Sequence, residues 1–253
     1  LPMDADNVPL TQALFDGIRL AVAAHNADSL AAPVRMVFRD AGNDPARVQA
    51  ALRALIDEQQ ADLVIGPLYS EQARAAAEVA EQRGVVLVAP LATDERVSEG
   101  RRFVFQANPT LTVRGALMAR MAVYGLRLDS IGVVAQFGDP TAERMAEAFQ
   151  AEVLRLEAAV PFYKLLPSAQ AWAQLVQHIG RDTLARVQAL YLPLSGANAP
   201  VLARAALSSL DRSGLTLRVL GNAAWRDVQA ALQASRYLLT FSNDFYVDTS
   251  RAE

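Results

Sequence analysis

Residues 62–97 read DLVIGPLYSEQARAAAEVAEQRGVVLVAPLATDERV, and the fold is decided in this stretch. A short apolar run, Leu63-Val64-Ile65, stops at Gly66-Pro67, a pair that neither prolongs a strand nor begins a helix early. Ser70 stands where an N-cap belongs, Glu71 suits a first turn, and an alanine-rich helix follows. Gly84 ends that helix well in a left-handed conformation, and residues 85–88, all Val or Leu, supply a second buried strand. Strand, helix and strand at this spacing make the right-handed parallel unit. In open α/β sheets the carboxyl ends of such strands face the ligand crevice. Two loops are therefore expected to meet there, one at residues 67–70 and one at residues 90–93.

Together these loops offer a small anion site. The Ser70 hydroxyl, the N–H groups at the start of its helix and the Thr93 hydroxyl can converge on one carboxylate. The plainer reading keeps Ser70 as a cap and Thr93 as a turn residue. Beyond the residues themselves, GPLYSEQARAAAEVAEQRGVVLVAPLATDERV resembles the central segment of type I periplasmic solute-binding proteins, the leucine/isoleucine/valine-binding class. The similarity runs from FDGIRLAVAAHN at residue 15 to LLTFSNDFYVD ending at residue 248. It implies that Gly66, Ser70, Pro90, Ala92 and Thr93 fall on positions that hold a ligand's carboxylate. Ligand contacts are accordingly expected from Ser70, Leu91, Ala92 and Thr93, with Leu91 or Ala92 lending a backbone carbonyl. The aromatic Tyr69, Phe137 and Phe245 are placed to pack on a ligand's apolar part or, equally, in the core or between lobes. Phe137, Leu194, Ser195 and Asn222 would close over the ligand from a second lobe.

Read in order, the chain alternates. Thr11 is placed to cap an amphipathic helix over residues 11–26. A strand is expected at 34–38, a turn at Asp40 to Pro45, with Asp40 more structural than ligand-binding, and a helix to about Glu58. After the organising unit, residues 101–108 read as extended and 111–124 as a helix. Then come strands at 131–135, 159–163, 187–192, 215–220 and 237–241, with helices at 141–156, behind Ser168, at 199–210 and at about 225–235. The fold class is α/β: two doubly wound parallel sheets, with residues 1–106 as an incomplete first lobe and 107–241 as the second. Residues 242–253 resemble a return crossing, and residues 103–108 with 241–248 are expected to form the hinge between lobes. In the order 2-1-3-4-5 a first strand would lie between residues 34–38 and 63–65, and Leu1-Pro2 reads as only its tail. The polypeptide is accordingly expected to be longer at both ends.

Composition removes several function classes. Net charge is −3 and Lys164 is the only lysine, so nothing suggests a nucleic-acid partner, and the scattered arginines read as solvated helix faces. No apolar run reaches the length of a membrane span, so direct insertion of this segment is not expected. There is no cysteine, hence no disulfide framework or thiolate chemistry. No dinucleotide fingerprint, phosphate loop or nucleophile elbow is present, and His25 and His178 lie on separate helices without carboxylate partners. No cofactor, metal or catalytic residue is called for.

One departure narrows the ligand. Amino-acid binders of the resembling class carry an acid after the second lobe's fourth strand, to pair with the ligand's ammonium; here residues 221–224 are Gly-Asn-Ala-Ala. The aromatic residue usual after the third strand is replaced by Leu194-Ser195. A carboxylate or amide lacking the ammonium, or no ligand at all, fits better than a free α-amino acid. Two function classes stand open. One is an extracytoplasmic solute receptor serving the membrane permease of an ABC-type transporter, in the periplasm or cell envelope. The other is a non-catalytic envelope module of the same fold, resembling activators of penicillin-binding proteins and acting through protein contact. An enzyme on such a fold is the least supported, because paired acid and base groups are missing.

Overall fold

In the computed structural model, which describes residues 8–28, 30–215, 217–229 and 237–241, the chain divides into two compact units, Leu1–Thr110 and Leu111–Glu253. The first unit holds α1 (Val8–Asn26), α2 (Pro45–Asp57), β1 (Leu63–Ile65), α3 (Ser70–Arg83), β2 (Val86–Ala89) and β3 (Val104–Gln106). Its three strands pair in parallel in the order β1-β2-β3. The core is an alanine-rich seam: Ala73, Ala76, Ala77 and Ala80 of α3 pack with Val48 and Leu52 of α2 and with Leu87 and Ala89 of β2. Small side chains bring α3 close to the sheet, and Gly84 closes the helix at φ 65° with its N–H on Ala80 and Glu81 carbonyls.

Several expectations shift here. Thr11 does not cap α1, which begins at Val8; Thr11 is buried inside it. Ser70 is likewise not an N-cap but the first residue of α3, behind Tyr69, which makes no side-chain cap bond. α2 opens as a capped helix should, with the Asp44 carboxylate accepting from the Ala46 N–H and Pro45 at the first position. Asp40 accepts from the Gly42 N–H, a turn role as expected. Residues 34–38 form no ladder among the described residues, and the Val34 backbone bonds to the Asn26 side chain. Between this segment, α1 and β1 lies a cavity of about 610 Å³, walled by Phe15, Ile18, Val37, Phe38, Leu63 and Val64 among others.

The second unit contains α4 (Leu111–Arg120), β4 (Ile131–Gln136), α5 (Pro140–Arg155), β5 (Tyr163–Leu166), α6 (Ala169–Ala173), α7 (Leu175–Ile179), α8 (Arg181–Leu184), β6 (Ala189–Tyr191), α9 (Ala199–Ser213), β7 (Arg218–Gly221), α10 (Arg226–Gln229) and β8 (Thr240–Phe241). All ladders are parallel, in the order β5-β4-β6-β7-β8, the doubly wound order 2-1-3-4-5. One face is covered by α4 and α5 over Ile131, Val133, Phe149 and Tyr191, the last two rings stacked 4.0 Å apart. Trp172, Leu202, Val219 and Trp225 fill the opposite face.

The β5 strand starts at Tyr163, not at residue 159. Pro161 cannot donate to a ladder, so only the isolated bridge from Ser130 to Ala159 precedes it. Ser168 caps α6 as expected, accepting from the Ala171 N–H, but the helix breaks at Gln174. α4 ends in a π-turn over Met121–Gly125. The expected strand at 237–241 is paired only at its last two residues. Leu1-Pro2, the end of the helix at 225–235 and the return crossing at 242–253 lie outside the described residues, as does the hinge beyond Phe241. Its other half, β3, is a strand of the first sheet.

Candidate functional site

At the carboxyl ends of β1 and β2 the two loops of the opening motif meet. The Ser70 Oγ accepts hydrogen bonds from the Thr93 N–H at 3.1 Å and the Asp94 N–H at 3.2 Å. A hydroxyl has two acceptor lone pairs and one proton. With both lone pairs engaged, the remaining O–H of Ser70 is oriented as a donor. Beside it, the first N–H groups of the fourteen-residue α3 have no intrahelical acceptors, and the helix dipole favours an anion there.

The loop carrying Thr93 is held from several sides. Gln106 of β3 donates to the Ala92 carbonyl at 2.9 Å and to the Asp94 carbonyl at 3.1 Å, and Asn108 donates to the Leu91 carbonyl at 3.2 Å. The carbonyls of Leu91 and Ala92, expected to face a ligand, are thus already engaged, and the Ala92 side chain is fully buried in the core. Asp94 accepts from the Arg96 backbone and pairs with the Arg96 guanidinium at 2.6 Å. That pairing holds the Asp94 carboxyl below its usual range, and the nearby charge of Arg74 adds to the effect. Tyr69 is 42% exposed, its carbonyl accepting the Ala73 N–H.

Arg74 was not singled out by the sequence. It sits one turn after Ser70 on the same side of α3, where helical side chains lean back toward the N-terminus. It is half-buried, and its Nε is buried without a hydrogen-bond partner among the described residues. In sequence it is one of many helix arginines; only burial distinguishes it.

In the second unit, Leu194, Ser195 and Asn222 line a cavity of about 340 Å³ at the carboxyl ends of β6 and β7. The Leu194 side chain itself is core, at 1% exposure. Asn222 clamps that loop: its Oδ1 accepts from the Leu194 N–H at 3.0 Å and its Nδ2 donates to the Leu194 carbonyl at 2.8 Å. Ser195 donates to Asp139, whose other oxygen caps α5 through the Thr141 and Ala142 N–H groups. Phe137 is 62% exposed and does not line the cavity. Two arginines that sequence reasoning assigned to solvated faces, Arg114 and Arg226, do line it.

Parallel open sheets with clamped loops at their carboxyl ends are the arrangement in which α/β proteins place their ligand crevices. The profile of the periplasmic binding protein family matches residues 2–253, and the chain belongs to that family. No curated protein matches it. Among solved structures, one from Rhodospirillum rubrum assigned to a branched-chain amino acid ABC transporter superposes with a TM-score of 0.83 at 22% identity, over 99% of this chain and 71% of that one. The isoleucine complex of the branched-chain amino acid substrate-binding protein LivJ from Streptococcus pneumoniae gives 0.60 at 18% identity, over 92% and 66%. A solute-binding protein from R. palustris in complex with 4-hydroxybenzoate gives 0.60 at 16% identity, over 88% and 60%. At these identities the likeness is one of fold, and the chain spans less than two thirds of the last two.

Proposed function

We propose that this chain is the solute receptor of an ABC-type importer, working outside the cytoplasm, and that it holds a small carboxylate-bearing solute on its first unit at Ser70 and Thr93. The observation that carries this reading is the Ser70 hydroxyl, held by two backbone N–H groups so that its own proton is left to donate beside a helix N-terminus. The solved relatives add support: isoleucine, 4-hydroxybenzoate and benzoate, the ligands of three of them, share a carboxylate and little else.

Thermal denaturation of the chain against a panel of small acids, amides and amino acids tests the reading. A ligand present at a hundred times its Kd adds about 2.7 kcal/mol to apparent stability. For a solute so found, calorimetric titration of Thr93→Val removes the hydroxyl while keeping shape. A lost hydrogen bond to a charged group is worth about 1.5–3 kcal/mol, tenfold or more in Kd. Ser70→Ala also removes the acceptor of two backbone N–H groups, so it should lower both affinity and melting temperature. Unchanged affinity in both folded variants would move the solute away from this site.

A further inference from the structure

We infer that Arg74 sets the charge class of the solute, so that the first unit takes acids of net negative charge and discriminates against zwitterionic α-amino acids of the same shape. This selection rests on the Ser70–Thr93 reading and adds to it the residue that decides which carboxylates are accepted. Arg74 lies four residues after Ser70 on the same side of α3, and helical side chains lean toward the N-terminus. Its guanidinium is thereby carried toward the turn that begins at Ser70. The side chain is half-buried and its Nε is enclosed by protein, yet among the described residues it makes neither a hydrogen bond nor an ion pair. Arg35, Arg83, Arg96 and Arg101 of the same unit each hold a carbonyl or a carboxylate. A guanidinium partly withdrawn from water without a counter-ion is costly, and an anion brought by a ligand removes that cost.

The acids nearby are committed elsewhere or face solvent. Asp94 lies close enough for the charge of Arg74 to help hold its carboxyl below the usual range. Both Asp94 oxygens, however, are bonded by the Arg96 guanidinium, at 2.9 Å and 2.6 Å. That pair sums to no net charge, and Glu95 adds its field to Arg96. Glu71, next to Ser70, is exposed to solvent. Arg74 therefore acts on an incoming solute as a positive charge, with a planar fork of donors that matches the two oxygens of a carboxylate. An α-amino acid carries its ammonium on the carbon beside the carboxylate, so it brings a like charge toward the guanidinium. An acid without the ammonium meets attraction alone, and the difference is selectivity.

Three probes of one shape test this on the whole chain by calorimetric titration: 4-methylpentanoate, leucine, which adds the ammonium, and 4-methylpentanamide, which has no charge. The acid should bind at least tenfold more tightly than leucine or the amide. Arg74→Gln should weaken the acid several-fold and leave the amide unchanged, so that the preference collapses, whereas a residue that only packs would shift all three alike. Arg74→Lys, which keeps the charge without the fork, should retain part of the preference. Added sodium chloride should weaken the acid in the parent by screening, and much less in Arg74→Gln. The inference fails if the acid binds no better than leucine, absence of binding by all three included, or if Arg74→Gln leaves the preference intact. A preference that needs Ser70 and Thr93 but not Arg74 overturns it while keeping the first-unit site, and affinity indifferent to all three residues overturns both.

Discussion

Ser70 and Arg74 illustrate how one turn of helix can assemble a donor and a counter-charge. The hydroxyl is aimed by two backbone N–H groups, and the guanidinium, four residues on, is partly withdrawn from solvent without a hydrogen bond to its Nε. Asp94 feels its charge, but the contact that carboxylate makes is with Arg96. Arg74→Gln is therefore expected to weaken binding of a carboxylate solute several-fold while changing the melting temperature little, measured by titration beside thermal denaturation. Equal affinity in variant and parent would make Arg74 a packing residue only. A different charge cluster acts on stability alone. Glu152, with its side chain 10% exposed, is held by Arg155 at 2.7 Å and Arg120 at 2.6 Å, which take its pKa from an ordinary 4.5 down to about 2. A carboxylate with a depressed folded-state pKa contributes stability above its unfolded pKa and loses it as pH falls toward the folded value. The melting-temperature difference between parent and Glu152→Gln should be constant above about pH 5 and shrink as pH falls from about 4.5 to 2. A gap that does not change with pH would show that the pair contributes nothing beyond shape. That the loops of Ser70 and Thr93 meet was legible in the sequence because strand ends and helix starts are local signals. Arg74, Gln106 and Asn108 were not, since their significance comes from burial and from contacts across the sheet.

At the scale of elements, α4 and α5 show how much a single atom decides. A Cβ at Gly115 would lie 2.4 Å from the Met145 carbonyl oxygen and 3.0 Å from the Phe149 nitrogen, so the helices touch backbone to backbone. Gly→Ala in a helix gains about 1 kcal/mol of propensity. Overpacking a tight contact typically costs about 1–3 kcal/mol, and a backbone neighbour cannot swing aside as a side chain can. Gly115→Ala should therefore be net destabilising in urea unfolding. Gly17 of α1 provides the control, since a Cβ added there would meet nothing within 4 Å and Gly17→Ala should stabilise by up to about 1 kcal/mol. If both alanines stabilise, the α4–α5 contact is looser than this geometry. Elements were the most legible level of the sequence, and its errors have local causes. Pro161 was itself the signal that β5 begins after it, because a proline has no N–H to give to β4. The 34–38 segment has a strand's composition but no ladder partner among the described residues, and composition alone does not make a strand.

Across the whole molecule the two sheets differ in how far their strands are enclosed. β4 lies between β5 and β6, and five of its six residues are buried; β6, between β4 and β7, is buried throughout. Among the described residues β1 has β2 on one side only; its Leu63 is 51% exposed, and its other side borders the cavity of about 610 Å³. Amide exchange reports the free energy of opening, which is low where apolar contacts are few and backbone bonds are near solvent. An edge strand also presents unpaired N–H and C=O groups, which makes it the weakest part of its sheet. At neutral pH, hydrogen–deuterium exchange read by mass spectrometry should show peptides over residues 63–65 exchanging on the order of a hundredfold faster than peptides over 131–135, a difference of about 2.7 kcal/mol in opening. A saturating solute at Ser70 and Thr93 should slow exchange in residues 70–73 and 91–94 first, because those N–H groups border the ligand, and leave β4 unchanged. Protection of β1 equal to that of β4 in the free protein would mean that its outer edge is covered in solution, and the contrast between the two sheets drawn from their burial would be wrong.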